Sequence, residues 1–423
     1  MLSTSQRELV KATVPALREH GQAVTRKFYA DMFEAHPELY NIFNPANQRD
    51  GGQQRSLAAA VLAYAEHIDN PQVLGKMLER IENKHVSLEV KAEHYPIVGK
   101  YLLGAIQDVM GAAATPEILA AWSAAYGQLA SIMSGQEEAL LVSSAALLGG
   151  WREFKPFRVE RKVPESEVMT SFYLVPADGS PLPPFQSGQF LSIKVHPDGF
   201  PYDQIRQYSI SCDSNGRHYR ISVQREAGPE NDPTGAAGLV SNYLHDVVKE
   251  GDLLSVHMPF GNFVLSKGDS PVVLLSGGSG ITAVLSMLEH LAGPHGGTRK
   301  VLFIHAARGR GRHAFNEHVR ALANRRPGMR VLVLYEETDA SDIAGLHHDD
   351  VGRVSAEILR QHLLEHGADF YYCGPIGFMA AMETVLDELG VPLEQRHSEA
   401  FGPDPSFAAD APAPVPQIGT NPN

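Results

Sequence analysis

Cysteine is scarce in this chain of 423 residues, which contains only Cys212 and Cys373, far apart in the sequence. There is no Cys-x-x-Cys pair, so neither an iron–sulfur cluster nor a zinc ribbon is indicated. Two buried thiols are a better prediction than a disulfide, because disulfide frameworks belong to small proteins that are rich in cysteine.

Long apolar runs and an excess of positive charge are also missing. No window holds about 20 apolar residues, so no transmembrane segment is expected. The first residues, MLSTSQRELVKATV, lack the apolar core of a secretory signal, and the cytoplasm is the default expectation for location. A formal net charge of −13 argues against nucleic acid as the main partner.

Apolar residues are numerous enough for several cores. They make up 43% of the chain, whose length predicts two or three domains. Residues 1–146 show helical periodicity, as at Val24, Phe28 and Met32, and Gly21 is expected to separate the first two helices. Further helices are predicted over 55–68, 72–87, 91–110 and 116–141. This pattern indicates an all-α domain whose helices cross at steep angles.

His85 is the candidate metal ligand of the helical part. It is one of 19 histidines, and a single histidine on a helix is more often a packing residue, so the prediction depends on its neighbours. The stretch Pro37-Glu38-Leu39-Tyr40-Asn41-Ile42-Phe43 resembles the globin corner whose phenylalanine packs on haem. With the residues around His85, the chain resembles the flavohaemoglobin (flavohaemoprotein, nitric oxide dioxygenase) family over residues 1–403.

The resemblance implies an all-α globin domain (1–146) in which His85 is the proximal ligand of haem b. The other haem-site residues that it implies are Tyr29, Phe43, Gln53, Leu57, Lys84, Tyr95 and Glu137. Tyr29 and Gln53 would donate hydrogen bonds to bound dioxygen, while Tyr95 and Glu137 would make the imidazole more basic. From the residues alone, Tyr29 and Leu57 are equally typical of core packing. Glu138 is the alternative to Glu137 if the register is shifted by one residue.

After Leu147-Leu148-Gly149-Gly150-Trp151 the periodicity changes to two, which predicts a small antiparallel β-barrel over 152–262. Within it, Arg206-Gln207-Tyr208-Ser209 is similar to the RxYS signature of ferredoxin-reductase-like flavoproteins, which implies FAD. Arginine suits the FAD pyrophosphate because it binds phosphate in a bidentate manner. The FAD-binding residues implied by the resemblance are Phe190, Arg206, Gln207, Tyr208, Ser209, Gly238, Val240, Ser241, Glu399, Ala400, Phe401, Gly402 and Pro403. The family commonly has cysteine where Ala400 stands.

Residues 270–403 alternate between strand and helix patterns, which predicts an α/β domain with a parallel sheet. The run Val272-Val273-Leu274-Leu275 leads into a glycine-rich turn and then a helix, an arrangement that binds diphosphates. The turn resembles the GxGxTP variant of this reductase family, with Ala283 in place of proline. The implied NAD(P)-binding residues are Gly277, Gly278, Ser279, Gly280, Ile281, Thr282, Cys373, Gly374 and Pro375. Cys373 is equally typical of a buried small hydrophobic residue, and 404–423 is predicted to be a disordered tail.

The resemblance implies electron transfer from NAD(P)H through FAD to haem, and conversion of nitric oxide and dioxygen to nitrate by a monomer. Two alternatives remain at this point: a haem-based oxygen sensor or store, and a reductase of other acceptors such as hydroperoxides or quinones. The choice between NADH and NADPH is open as well. Arg308, Arg310 and Arg312 fit either recognition of a 2′-phosphate or a solvated loop.

Overall fold

The computed structural model describes residues 2–43, 51–228, 237–294, 296–363 and 367–402. Pro403 and the predicted disordered tail, 404–423, lie outside these ranges. Residues 229–236 lie outside them as well.

Six helices in the described residues form the first part of the fold. They are α1 (Thr4–Ala12), α2 (Val14–Ala35), α3 (Gly52–Glu66), α4 (Gly75–Ser87), α5 (His94–Met110) and α6 (Pro116–Ala145). Capping residues account for two of the helix starts: Ser3 forms a capping box with Gln6, and the Thr115 hydroxyl accepts from the backbone of α6. The buried face of α2 carries Val24, Phe28 and Met32, all at most 2% exposed.

The helix break predicted at Gly21 is wrong. The chain breaks at Thr13, whose hydroxyl donates to the carbonyl of Val10 at 2.6 Å. Gly21 is buried inside α2, and a Cβ added there would lie 3.5 Å from the side chain of Ala58 on α3. Glycine therefore serves here as a small residue between two packed helices and does not form a turn.

The second part is a six-stranded antiparallel barrel. Its strands are β1 (Lys155–Pro164), β2 (Met169–Pro176), β3 (Phe190–Val195), β4 (Gln204–Ser209), β5 (Tyr219–Gln224) and β6 (Leu253–Val256), and α7 (Leu239–Asp246) follows β5. The order is β4-β3-β6-β1-β2-β5, and a bridge between Ile210 and Ile221 joins the two end strands. Trp151, in the segment between α6 and β1, contacts the barrel, because its indole N–H donates to the carbonyl of Val256 at 3.1 Å.

The third part is a six-stranded parallel sheet with helices beside it. Its strands are β7 (Val272–Gly277), β8 (Val301–Ala307), β9 (Met329–Tyr335), β10 (Asp350–Val351), β11 (Asp369–Cys373) and β12 (Arg396–Glu399), in the order β10-β9-β8-β7-β11-β12. The helices are α8 (Ile281–Ala292), α9 (Asn316–Arg325), α10 (Ala356–His362) and α11 (Ile376–Glu388). The edge strands β10 and β12 were not predicted, because neither carries an apolar run.

The barrel and the parallel sheet are joined through buried polar groups. Glu289 on α8 accepts from Arg220 of the barrel at 2.7 Å, and both side chains are mostly buried. Gly188 has a φ of 106° and donates its backbone N–H to Ser286 at 2.9 Å. A Cβ at Gly188 would clash with the backbone of Phe263.

The three-part architecture predicted from the sequence is confirmed, and both cysteines are buried thiols as expected. The predicted domain limits stay a prediction. None of the described helices combines the length and the apolar character needed to cross a membrane.

Candidate functional site

His85 lies in the last turn of α4 and makes its hydrogen bonds through one ring nitrogen. Its Nδ1 lies 2.9 Å from a carboxylate oxygen of Glu137 on α6 and 3.2 Å from the hydroxyl of Tyr95 on α5. The Tyr95 hydroxyl itself donates to the same Glu137 oxygen at 2.6 Å. An Nδ1–H that donates to a carboxylate fixes the tautomer in which Nε2 is available as a metal ligand.

Glu137, and not Glu138, faces this histidine. Glu137 is 4% exposed, whereas Glu138 is exposed and pairs with Arg152 at 2.6 Å. Burial, followed by the hydrogen bond to Glu137, raises the pKa of Tyr95, so the phenol keeps its proton and donates. The backbone of Tyr95 is held in turn by the Tyr126 hydroxyl, which donates to its carbonyl at 2.7 Å. The geometry therefore favours the register in which Glu137 acts on His85.

The other predicted haem-pocket residues lie across a cavity of about 430 Å³. Tyr29, Phe43, Gln53 and Leu57 all line it, as does His85. Tyr29 is 6% exposed and forms a side-chain hydrogen bond with Gln53. Burial raises the pKa of Tyr29 strongly, which keeps its hydroxyl protonated and able to donate.

The same cavity continues into the barrel. Beyond the helical part it is lined by Phe190 on β3, by Ile205, Arg206, Gln207 and Ser209 around β4, and by residues 399–402 after the parallel sheet. Cavities of roughly 300–1,000 Å³ are typical of small-molecule and cofactor sites. One continuous space thus connects the predicted haem ligand with the predicted FAD residues.

Arg206 is a partly buried cation that donates hydrogen bonds to neutral groups. Its guanidinium donates to the carbonyl of Ile205 at 2.8 Å and to the side-chain oxygen of Gln204 at 3.2 Å. Burial lowers the pKa of Arg206, since desolvation penalises the charged form. A partly buried guanidinium that borders a cavity matches a phosphate group, so this side of the cavity fits a dinucleotide such as FAD.

The remaining predicted FAD residues differ in location and in exposure. Tyr208 packs on the barrel core, Val240 is a core residue that is 1% exposed, and Gly238 is the N-cap of α7. The Ser241 hydroxyl donates to the carbonyl of Gly238 at 3.1 Å. Glu399 ends β12, and Ala400, Phe401 and Gly402 continue from it along the cavity. Contact between these residues and FAD stays a prediction, and Pro403 lies outside the described residues.

The predicted NAD(P) residues meet at the carboxyl ends of β7 and β11. Gly277 ends β7, Gly278 has a φ of 51°, and Gly280 packs so closely on the Cys373 carbonyl that a Cβ would clash. Ile281 and Thr282 begin α8, and the Thr282 hydroxyl donates to Ser279 at 3.0 Å. Burial raises the pKa of the Cys373 thiol, Gly374 follows it, and Pro375 is the N-cap of α11. This is the turn geometry that presents backbone N–H groups to a diphosphate.

Sequence reasoning missed the contacts that join α4 to the reductase half. The Asn83 side chain accepts from the backbone N–H of Gly261 at 2.9 Å, and the Ser87 hydroxyl accepts from Gln207 at 2.6 Å. Two longer contacts reach the end of the chain, from Arg80 to the Ser398 carbonyl at 3.3 Å and from Lys84 to the Gly402 carbonyl at 3.2 Å. The predicted ligand helix is therefore also the helix that contacts the flavin region.

Glu82 is a second residue of α4 that the sequence did not single out. It is 5% exposed, and burial together with the nearby charge of Glu137 raises its pKa to about 7. A carboxyl group with such a pKa is a common mark of a functional site, although buried structural carboxyls show it as well.

Comparison with known proteins agrees with this geometry. The globin family matches residues 26–133, and the oxidoreductase NAD-binding domain family matches residues 274–384. A flavohaemoprotein of Deinococcus radiodurans is 55% identical over 408 residues, which cover 96% of this chain and 99% of that relative. The chain belongs to the flavohaemoprotein family. A flavohaemoprotein of Bordetella pertussis is 49% identical and covers 95% of this chain and 99% of its own length.

Solved structures of flavohaemoproteins are similar to this one. A flavohaemoglobin from Malassezia yamatoensis, determined with bound FAD and haem, covers 95% of this chain at 28% identity with a TM-score of 0.81. The FAD/NAD-binding domain of a nitric oxide dioxygenase from Vibrio cholerae covers 60% of this chain at 38% identity with a TM-score of 0.52. The flavohaemoprotein fold is thus matched along almost the whole chain, and its reductase half is matched separately.

Proposed function

We propose that this flavohaemoprotein is an NAD(P)H-dependent nitric oxide dioxygenase that binds haem b and FAD and converts nitric oxide to nitrate. The observation that carries the proposal is the single cavity that runs from Tyr29 and His85 to Arg206 and Ser209. When bound, FAD supplies the change from two-electron to one-electron chemistry and haem supplies an iron that binds dioxygen. The family match supports both cofactors.

On the proximal side, the residues around His85 favour oxygen chemistry over oxygen storage. The Glu137 carboxylate accepts from the imidazole at 2.9 Å and is itself held by the Tyr95 hydroxyl at 2.6 Å. Such bonding makes the imidazole a stronger donor to iron, which favours activation of dioxygen. A carrier of dioxygen has no need of this arrangement.

On the distal side, Tyr29 and Gln53 provide the polar groups of an otherwise aromatic and aliphatic pocket. The Tyr29 phenol is protonated because burial raises its pKa, so it can donate to a ligand that gains negative charge. Phe43 and Leu57 add apolar surface to the same cavity. These side chains position and polarise a small diatomic ligand.

The reductase half has the two features that an electron supply requires. Arg206 borders the cavity as a partly buried guanidinium for the FAD pyrophosphate, and the turn at Gly277 to Gly280 presents backbone N–H groups for NAD(P)H. The reaction NO + O₂ + e⁻ → NO₃⁻ takes one electron for each nitric oxide, and NAD(P)H supplies two. One NAD(P)H should therefore be consumed for every two molecules of nitric oxide.

The test is the aerobic oxidation of NAD(P)H by the holoprotein with and without nitric oxide, with nitrate measured as the product. We expect rapid oxidation that depends on nitric oxide, with one NAD(P)H used per two nitrate ions. The variant His85→Ala should lose haem and this activity but retain NAD(P)H-dependent reduction of ferricyanide. Faster turnover with a hydroperoxide or quinone than with nitric oxide would identify the protein as a reductase of those acceptors. Absence of any catalysed turnover would favour a sensor or store.

A further inference from the structure

A second buried carboxyl group lies close to the hydrogen bonds of His85. Glu82 precedes His85 by three positions on α4, and side chains three apart on a helix are neighbours, with about 5–6 Å between their Cβ atoms. Glu82 is 5% exposed, and Glu137 on α6 is 4% exposed. Glu137 accepts from the imidazole at 2.9 Å, whereas Glu82 belongs to a different set of contacts.

Gln136 on α6 connects Glu82 with the surface of the protein. In the amide orientation that satisfies both side chains, the Gln136 nitrogen donates to both carboxylate oxygens of Glu82, at 3.2 Å to Oε2. With the amide turned over, its oxygen can accept from a protonated carboxyl group instead. Gln136 is exposed, whereas the next residue, Glu137, faces His85. Glu82 is therefore held by a solvent-accessible group that suits either of its protonation states.

The charges around Glu82 favour its protonated form. The titratable groups near it are Glu137 on α6, Tyr95 on α5, and Glu79 and His85 on α4 itself. Burial is the largest cause that raises the pKa of Glu82 to about 7, and the negative charges of Glu137 and Glu79 raise it further. A positive charge on His85 acts in the opposite direction and has the smallest effect. Glu82 can therefore gain or lose a proton near neutral pH.

Two cations of the same helix have other partners. Arg80 and Lys84 are each two positions from Glu82, and residues two apart on a helix do not face each other. Both contact carbonyl groups at the end of the chain, those of Ser398 and Gly402. The Glu82 carboxyl group therefore responds mainly to charge on the side of α4 that carries His85.

We propose that Glu82 takes up one proton from solvent when the haem at His85 is reduced by one electron, and releases this proton on reoxidation. The electron, which the flavin supplies, makes this region more negative by one charge. The change from COO⁻ to COOH at Glu82, one helical turn from His85, cancels that charge. Glu82 does not touch the iron and is a positioning residue that acts through the charge around His85. This inference requires His85 as the haem ligand but no particular substrate, so it goes beyond the proposed function.

The test is a potentiometric titration of the haem in the holoprotein, followed at the Soret band, between about pH 5.5 and 8.5. In the wild type, the midpoint potential should fall as the pH rises through neutrality, because proton uptake favours the reduced state at low pH. Glu82→Gln keeps the shape without the proton and should lose most of this slope, whereas Glu82→Asp should retain it. The control is Glu138→Gln, which removes an exposed carboxylate next to Glu137 and should keep the wild-type slope.

A second measurement observes the proton itself. The reduced-minus-oxidised infrared difference spectrum of the wild type near neutral pH should show the C=O band of a protonated carboxyl group that appears on reduction. This band should be missing in Glu82→Gln and present in Glu138→Gln. The spectrum of the wild type is informative even where a variant folds poorly.

A wild-type potential that does not change with pH around neutrality would overturn the proposal. An unchanged slope in Glu82→Gln would also overturn it, because another group would then take up the proton. The same conclusion would follow from an equal loss in Glu138→Gln, which would indicate a general effect of charge, or from loss of the slope in Glu82→Asp, which still has the carboxyl group. Nitric oxide is absent from both measurements, so failure here and failure of the proposed function can be told apart.

Discussion

At the scale of single residues, burial decides what the side chains of the cavity can do. Burial shields the Tyr29 hydroxyl from water and raises its pKa, more than the hydrogen bond with Gln53 lowers it, so the hydroxyl stays a donor. Arg206 is shielded too, but a guanidinium keeps its charge, so it needs an anion beside it. Similar surroundings thus produce a neutral donor at one end of the cavity and an anion-binding group at the other.

Tyr29→Phe should accelerate dissociation of dioxygen from the reduced protein by about 10- to 100-fold, because a hydrogen bond to a partly charged ligand is worth about 1.5–3 kcal/mol. Gln53 retains part of the stabilisation, which favours the lower end. Carbon monoxide, nearly neutral when bound, should respond much less. Stopped-flow measurement of both ligands tests this, with Tyr64→Phe as control, since Tyr64 lines the same cavity but donates to the Ala125 carbonyl at 3.2 Å. Equal effects on the two gases would contradict an electrostatic role for Tyr29.

Arg206→Ala combined with Ser209→Ala should lower the FAD content of the purified protein by about tenfold or more at limiting FAD, because a charge-assisted phosphate contact is lost. The chemically reduced protein should still bind dioxygen. The flavin-to-haem absorbance ratio measures the effect. Full retention of FAD would show that the pyrophosphate does not contact Arg206.

At the scale of secondary-structure elements, α4 combines two tasks. Through Nδ1 of His85, α4 forms hydrogen bonds with residues of α5 and α6. Through Asn83 and Ser87, the same helix contacts the barrel residues Gly261 and Gln207. Val86, which is 1% exposed, packs with Phe190 and with other barrel residues in one apolar cluster. A single rigid helix therefore fixes the distance between the two predicted cofactor sites.

Asn83→Ala combined with Ser87→Ala should slow electron transfer from the flavin to the haem by up to about tenfold, since each lost hydrogen bond weakens docking by about 0.5–1.5 kcal/mol. Flavin reduction by NAD(P)H should be unchanged. Anaerobic stopped-flow spectroscopy separates the two steps. Ser143→Ala is the control, because Ser143 is exposed on α6 and its hydroxyl donates to the Leu140 carbonyl of the same helix at 3.0 Å. A slower flavin step would mean that the pair acts on the reductase half instead.

The sequence predicted those elements whose signals are local. The run Val272–Leu275, the glycine turn and α8 follow one another directly, so their geometry can be predicted from neighbouring residues. Gly21 was misjudged, because the reason for a small residue is Ala58 on another helix. The contacts of α4 could not be predicted either, since Gln207 is 120 residues from Ser87 and Gly402 is 318 residues from Lys84. No local pattern carries information over such separations.

At the scale of the whole molecule, buried histidines make stability depend on pH. Burial lowers the pKa of His305 to about 4 and that of His313 to about 2, from an ordinary value of 6.5. Both rings are neutral in the folded protein, whereas the unfolded chain takes up protons below about pH 6.5. Stability therefore carries no protonation penalty above about pH 6.5 and decreases as the pH falls below it, down to about pH 4 for His305 and about pH 2 for His313.

His313→Gln should flatten this loss, because one histidine accounts for up to about 1.4 kcal/mol per pH unit in this range. The measurement is thermal unfolding of the holoprotein between about pH 4.5 and 7.5, and the slope is the quantity to compare. His67→Gln, at an exposed histidine, should keep the wild-type slope. An unchanged slope in His313→Gln would mean that other groups cause the acid sensitivity.

The contacts between α4 and the chain end also have a consequence for synthesis. Arg80 and Lys84 bind residues that lie 318 positions later, Ser398 and Gly402. A ribosome that adds about 5–20 residues per second needs roughly 15–60 s to cover that interval. During this time Arg80 and Lys84 are without these two carbonyl partners, whereas barrel partners of the same helix, such as Phe190 and Gly261, are made earlier. The contacts between α4 and the chain end can therefore form only after nearly the whole protein has been synthesised.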